Sequence, residues 1–157
     1  MGRIDYLHDP DAPAANSVVP SVVAFVQNEL GQVLMIKRSD NGRWALPGGG
    51  HDVGESISDT VVREVREETG INAEVIDLSG IYTDPGHVML YDDGEVRQQF
   101  SICFRARLVS GELRTSDETT QVRWVHPTDL APYDIHPTMR LRIDHALDGT
   151  RTTPYVG

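Results

Sequence analysis

The chain has 157 residues, of which 39% belong to the apolar set AVILMFWYC and 14 are glycine, the balance of a folded domain rather than of a disordered or collagen-like chain. With 14 Lys and Arg against 24 Asp and Glu the formal charge is −10, which repels nucleic-acid backbones and anionic membranes and requires an anionic substrate to arrive with cations. The single cysteine, Cys103, excludes an intrachain disulfide framework and a thiolate zinc cluster and suits the reducing cytoplasm.

Residues 1–17 carry Asp5, Asp9, Asp11, Pro10 and Pro13 and no apolar run of the kind a signal peptide needs. They are expected to form an extended amino-terminal segment of a single domain spanning 1–157. The mostly apolar stretch Val18 to Val26 is about half a membrane span and is broken by Pro20, so no membrane partner is expected. Val18 to Gln27 and Gln32 to Lys37, separated by the turn chemistry of Asn28 to Gly31, predict a hairpin. A loop follows to Arg43, then Trp44 to Gly50, where Gly48, Gly49 and Gly50 strip the backbone of side chains and permit close approach of a ligand or metal. Ile57, Val61, Val62 and Val65 recur at near-helical spacing, and Gly70 stands where a left-handed cap belongs, so a helix of about 12 residues is predicted to end at Thr69.

Ala73 to Tyr82 and His87 to Tyr91 are predicted strands, and the turn Asp92-Asp93-Gly94 leads into another. In that strand Phe100, Ile102, Phe104, Ala106 and Leu108 share one face, expected to be core. Gln99, Ser101, Cys103, Arg105 and Arg107 share the other, expected to be wet or to line a pocket. Val122 to Val125 is a short strand, and Pro137 opens a final helix stopped by Gly149. Strands mixed with two helices, without regular alternation, predict an α+β (mixed α/β) layer structure.

On the first helix Glu64, Glu67 and Glu68 stand at i, i+3 and i+4, so three carboxylates occupy one arc of roughly 100° beside the valine stripe. Like charges at these spacings destabilise a helix by a few tenths of a kcal/mol per pair, and a positive partner is therefore expected. Carboxylate and backbone oxygens are what Mg²⁺ or Mn²⁺ prefer. Glu55 adds a fourth carboxylate, and Arg63 stands four residues before Glu67, where it can pair with that group or orient it.

From Gly49 to Ile71 the fixed residues are Gly49, Glu55, Arg63-Glu64-Val65, Glu67-Glu68 and Gly70-Ile71, with intervals of five, seven, one and one residues. This fits every fixed position of the Nudix box, G-x5-E-x7-R-E-U-x-E-E-x-G-U with U aliphatic, and the chain resembles the Nudix hydrolase family over about residues 18–147. The resemblance implies a Nudix fold, an α/β/α sandwich around a mixed sheet, and Mg²⁺-dependent hydrolysis of a nucleoside diphosphate linked to another group, with Mn²⁺ as an alternative ion. By the same resemblance Glu64, Glu67 and Glu68 form the metal-binding set, Glu55 joins through water, and the carbonyl of Gly48 or Gly49 adds an oxygen. Arg63 would orient the glutamates. The general base comes from the box, as Glu64 or Glu67, or from a later loop, where Glu118 precedes the strand Val122 to Trp124.

Pro85, fifteen residues beyond Gly70, sits where ADP-ribose pyrophosphatases of the family carry a proline, and favours ADP-ribose or a nucleotide sugar. A nucleoside triphosphate, including an oxidised dNTP, is the alternative, and a non-catalytic nucleotide sensor is the alternative of another class, against which the intact glutamate set argues. Arg97, Arg105 and Arg107 offer planar forks for phosphate or ribose, and Tyr82, Phe25 and Trp44 offer rings for a base. His51 and His87 are candidate contacts, while Cys103, with no histidine in a recognisable pair, is expected to be structural. The expected partner is a small nucleotide and not a nucleic-acid polymer; a homodimer is left open.

Overall fold

The computed structural model describes residues 2–157. Arg3–Leu7 forms β1, so the amino-terminal segment is part of a sheet. Pro20 has no N–H to give to a ladder, and the stretch expected as one strand divides there into β2 (Ser17–Val18) and β3 (Ser21–Gln27). The Asn28 side chain accepts from the N–H groups of Leu30 and Gln32 at 3.1 and 3.0 Å and turns the chain into β4 (Val33–Arg38). β3 and β4 meet only at Gln27 and Val33. Beyond that pair they splay, and the returning chain fills the gap as β5 (Trp44–Ala45) on β4 and β6 (Gly48–Gly50) on β3.

α1 spans Ile57–Thr69. Ser56 caps it: its hydroxyl accepts from the Asp59 N–H and the Asp59 carboxylate accepts from the Ser56 N–H, both at 3.2 Å. Gly70, at φ 78°, ends it in the left-handed region, and a Cβ there would strike the Glu112 carbonyl at 2.3 Å. There follow β7 (Ile71–Tyr82), β8 (His87–Tyr91), β9 (Val96–Gln98), β10 (Ser101–Gly111), β11 (Thr119–Val125), α2 (Pro137–Leu147) and β12 (Tyr155–Val156). α2 closes at Asp148, one residue before the glycine expected to stop it.

The larger, mixed sheet runs β11-β4-β3-β10-β7-β12, with β3 parallel to β10 and β7 parallel to β12. The smaller sheet runs β1-β8-β9-β2. One face of the larger sheet sends Val22, Ala24, Val26, Leu34, Phe104 and Ala106 against Val61 and Val65 of α1. The other sends Val23, Phe25, Val33, Met35 and Cys103 against Ile143 and Ala146 of α2. This is the expected sandwich of helices around a mixed sheet. Val61 and Val65 are fully buried, each a gain of about 1.5–3 kcal/mol over exposure.

The two-sided burial corrects one expectation. Cys103, placed by alternation on a wet or pocket-lining face, is 0% exposed, because the face opposite α1 is covered there by α2, whereas Gln99 and Ser101 on the same face do line a cavity. Toward its far end that face reaches water, where Arg105 forks onto Asp77 and Arg107 onto Glu74.

Candidate active site

The strand β6 and the helix α1 lie side by side, with the backbone of Gly49 against the Glu64 side chain. A Cβ built on Gly49 would lie 2.5 Å from that carboxylate. The Gly48 N–H donates to Glu68 at 3.2 Å. Glu64 and Glu68 are buried, and Glu67, one turn from Glu64, is turned outward. A groove adjoining them is lined by Gly49, Gly50, Arg63, Glu64, Glu67 and Glu68, and on its far wall by Ser116, Asp117 and Glu118. That far wall is tied down: Thr119 donates its hydroxyl to the Glu68 carbonyl at 3.2 Å, and Ser39 donates its N–H to the Glu118 carbonyl at 3.0 Å.

Arg63 holds the acidic cluster together. Its Nε donates to Glu55, its Nη1 donates to Glu64 at 2.8 Å and Glu67 at 3.3 Å, and its Nη2 donates to the Gly50 carbonyl at 3.2 Å. The Thr60 hydroxyl also donates to Glu55 at 2.7 Å, and His51 Nδ1 lies 2.6 Å from that hydroxyl. The Arg63 hydrogen bond, with that of Thr60, holds the Glu55 carboxyl down at about 2. Glu64 and Glu68 go the other way. Burial raises both, and the charge of Glu64 beside Glu68 lifts Glu68 well above the ordinary carboxylate range. Two buried carboxylates held this close, with Arg63 hydrogen-bonded to only one of them, cannot both ionise without further positive charge. Their donor set is hard oxygen, joined by glycine backbone that no side chain screens, so these residues fit a divalent cation of the Mg²⁺ or Mn²⁺ kind.

A cavity of about 150 Å³ adjoins the groove at Gly49 and Gly50. Arg97, in the substrate set expected from the sequence, lines it, stacked 4.5 Å over Tyr91 and forked onto Glu95. Trp44 lines it too, with Tyr133 edge-on at 5.0 Å behind it. Three other members of that set stand elsewhere. Arg105 is occupied by Asp77 beyond the covered part of the sheet. Tyr82 is 4% exposed in the core under α2, with its hydroxyl 2.7 Å from His145. Pro85 lies in the turn closed by the Asp84 carboxylate accepting from the Gly86 N–H at 2.8 Å. His87 lines the cavity and is 5% exposed, stacked on His136 at 5.2 Å and 3.4 Å from Asp5.

Several lining residues escaped the sequence reading. Arg3 and Asp5 arrive on β1, and Arg38 on β4. Their pairing across the fold leaves no local pattern. Arg142 is different: it stands three residues after Met139 and one before Ile143, on the apolar stripe of α2, where a charged residue is itself a signal.

The NUDIX domain family matches residues 18–145. A MutT-like protein of Streptomyces ambofaciens is 36% identical over 147 residues, 92% of this chain and 87% of its own. An ADP-ribose pyrophosphatase of Methanocaldococcus jannaschii is 33% identical over 73% of this chain and 61% of its own. The crystal structure of a MutT protein from Methanosarcina mazei Go1 superposes with a TM-score of 0.67 at 26% identity, covering 87% of this chain and 98% of that one. Enzymes of this family generally use divalent metal ions and act on small nucleotides. The chain belongs to the Nudix family and is a Nudix hydrolase.

Proposed function

We propose that this enzyme hydrolyses the phosphoric anhydride of a nucleoside diphosphate joined to a further group, with Mg²⁺ or Mn²⁺, and that ADP-ribose and nucleotide sugars are its favoured substrates. The observation that carries the reading is the groove of buried carboxylates against bare glycine backbone, which shares Gly49 and Gly50 with the wall of an arginine-lined cavity. Glu64, Glu67 and Glu68, with Glu55 beside them and the Gly49 carbonyl, are the residues that would hold the cation. Held there, such an ion would supply charge neutralisation for the phosphates and a lowered pKa for water.

Arg63 keeps Glu64 beside Gly49 and ties Glu55 and Glu67 to it. Glu118, on the opposite wall of the groove, takes the proton of the attacking water. Arg97 and Trp44 hold the part of the substrate that reaches the cavity. The diphosphate enters as a cation complex, which offsets the repulsion of a protein of formal charge −10.

The test is release of nucleoside monophosphate or pyrophosphate across ADP-ribose, nucleotide sugars, canonical dNTPs and 8-oxo-dGTP, with and without Mg²⁺ or Mn²⁺, beside Glu68→Gln. AMP from ADP-ribose, dependent on the cation and reduced on the order of 10²-fold in the variant, supports the reading. Pyrophosphate from dNTPs alone transfers the substrate assignment to nucleoside triphosphates. Nucleotide binding without turnover of any substrate refutes the hydrolase activity.

A further inference from the structure

Two buried side-chain nitrogens have no hydrogen-bond partner among the described residues, Nε of Arg3 and Nε of Arg142, and both arginines line the same cavity of about 150 Å³. Folded proteins leave few such groups, because an unmet donor taken out of water costs about as much as a lost hydrogen bond or more. Arg3 at least has Asp5 at 3.4 Å. The other cavity arginines are likewise paired, Arg38 with Asp40 at 2.6 Å, Arg97 with Glu95 at 2.7 Å and Arg43 with Asp134 at 3.8 Å.

Arg142 has no such partner. It is 2% exposed, its Nη1 donates to the Thr138 carbonyl at 2.7 Å, and its guanidinium carbon lies 4.5 Å from the centre of the Tyr82 ring. The groups that bear on its charge are Tyr82 and Cys103; burial raises both, the thiol to about 12, so both are neutral. A buried cation left uncompensated is costly and calls for acceptors from outside the chain. Thr138 fixes one end of the guanidinium and Tyr82 covers one face. The Nε edge is left, one side of the fork with which arginine takes two adjacent acceptors at once. The cavity has room for about ten waters, which is the size of one base or one sugar.

We propose that Arg142 is a specificity-determining residue, selecting nucleotides whose group in the cavity beside it presents two adjacent acceptor atoms. The O6/N7 edge of guanine and the carboxylate of a uronic-acid sugar both supply that chemistry. The inference rests on the nucleotide reading of this site.

Binding is measured calorimetrically in the presence of Mg²⁺, comparing GMP with AMP and glucuronate 1-phosphate with glucose 1-phosphate, none of which has a phosphoric anhydride to hydrolyse, in the wild type and in Arg142→Met. A two-point contact discriminates by about 5- to 150-fold. The expected result is a preference of at least about fivefold within one pair, which also tells base from sugar, collapsing to within about twofold in Arg142→Met. Equal affinity within both pairs, no binding of any of the four, or a preference that survives the substitution overturns the proposal. Should Arg142→Met fail to fold, Arg142→Lys keeps the charge and loses the fork, and the same collapse of the preference is expected in it. Hydrolysis without discrimination defeats this inference and leaves the hydrolase standing; discrimination without hydrolysis does the reverse.

Discussion

Gly49 and Glu64 are in such close contact that a single carbon added to Gly49 would lie 2.5 Å from the Glu64 carboxylate. The glycine is required by space, since Gly49 lies in ordinary extended backbone in β6. Gly49→Ala is therefore expected to fold with a thermal midpoint within a few degrees of the wild type and to lose at least about tenfold in kcat/KM, because Glu64 is pushed off its place. A steady-state assay beside a melting curve checks this; unchanged kcat/KM would show that the position of Glu64 is not critical.

Arg63 joins Glu55, Glu64, Glu67 and the Gly50 carbonyl. Arg63→Gln should cost about 2 kcal/mol of stability, since it leaves the buried Glu64 without its cation. Arg63→Lys should recover little of it, because an ammonium cannot reach four oxygens in different directions. Denaturant unfolding in the absence of divalent ions measures both. Equal stability of the Lys variant and the wild type would refute the bridging role.

Ser56 and Asp59 cap α1 reciprocally. Ser56→Ala removes one half of that exchange and should cost about 1 kcal/mol, a fall of roughly 2–4 °C in the thermal midpoint. Glu64, Glu67 and Glu68 lie about two to three turns further along the helix, so kcat at a temperature well below the midpoint should change less than twofold. A larger loss of kcat would mean that the cap also orders the glutamates.

His136 caps α2 with its ring, Nδ1 accepting from the Thr138 N–H at 3.3 Å, and burial beside His87 lowers its pKa to about 4. The unfolded chain binds the proton near 6.5 and the folded one does not, so this contribution to stability is complete above about pH 6.5 and is lost as the pH falls toward 4. Asp5 adds a second window further down. Although burial opposes it, the His87 hydrogen bond and the charge of Arg3 lower its carboxyl to about 2, so its contribution is lost below the ordinary Asp value of about 3.8. His136→Asn retains a capping acceptor and should flatten the melting temperature between pH 6.5 and 4 relative to the wild type. Parallel curves for the two proteins in that window would refute the assignment.

The spacing from Gly49 to Ile71 was enough to place a helix, its glycine cap and its acidic arc, because helix periodicity and capping are local and act between residues a few positions apart. The same run of residues named the family. Alternation along β10 was also legible, but not that both of its faces are covered, since burial of the second face depends on α2, which lies more than twenty-five residues further along the chain. Arg105 and Tyr82 looked like ligand contacts by residue type, and Asp77 and His145, brought to them only by folding, occupy them instead. The cavity itself belongs to the tertiary structure alone. Its walls come from β1, β3, β4, β5, β6, β8, β9, β10 and α2, and a cavity assembled from nine elements leaves no periodic trace in any one of them. What the sequence determined by itself was the chemistry of one helix and the glycine loop before it. Which arginines face the ligand, and which are neutralised by a neighbour, was decided by packing, because a guanidinium's role is set by whatever acceptors lie within about 3 Å of it.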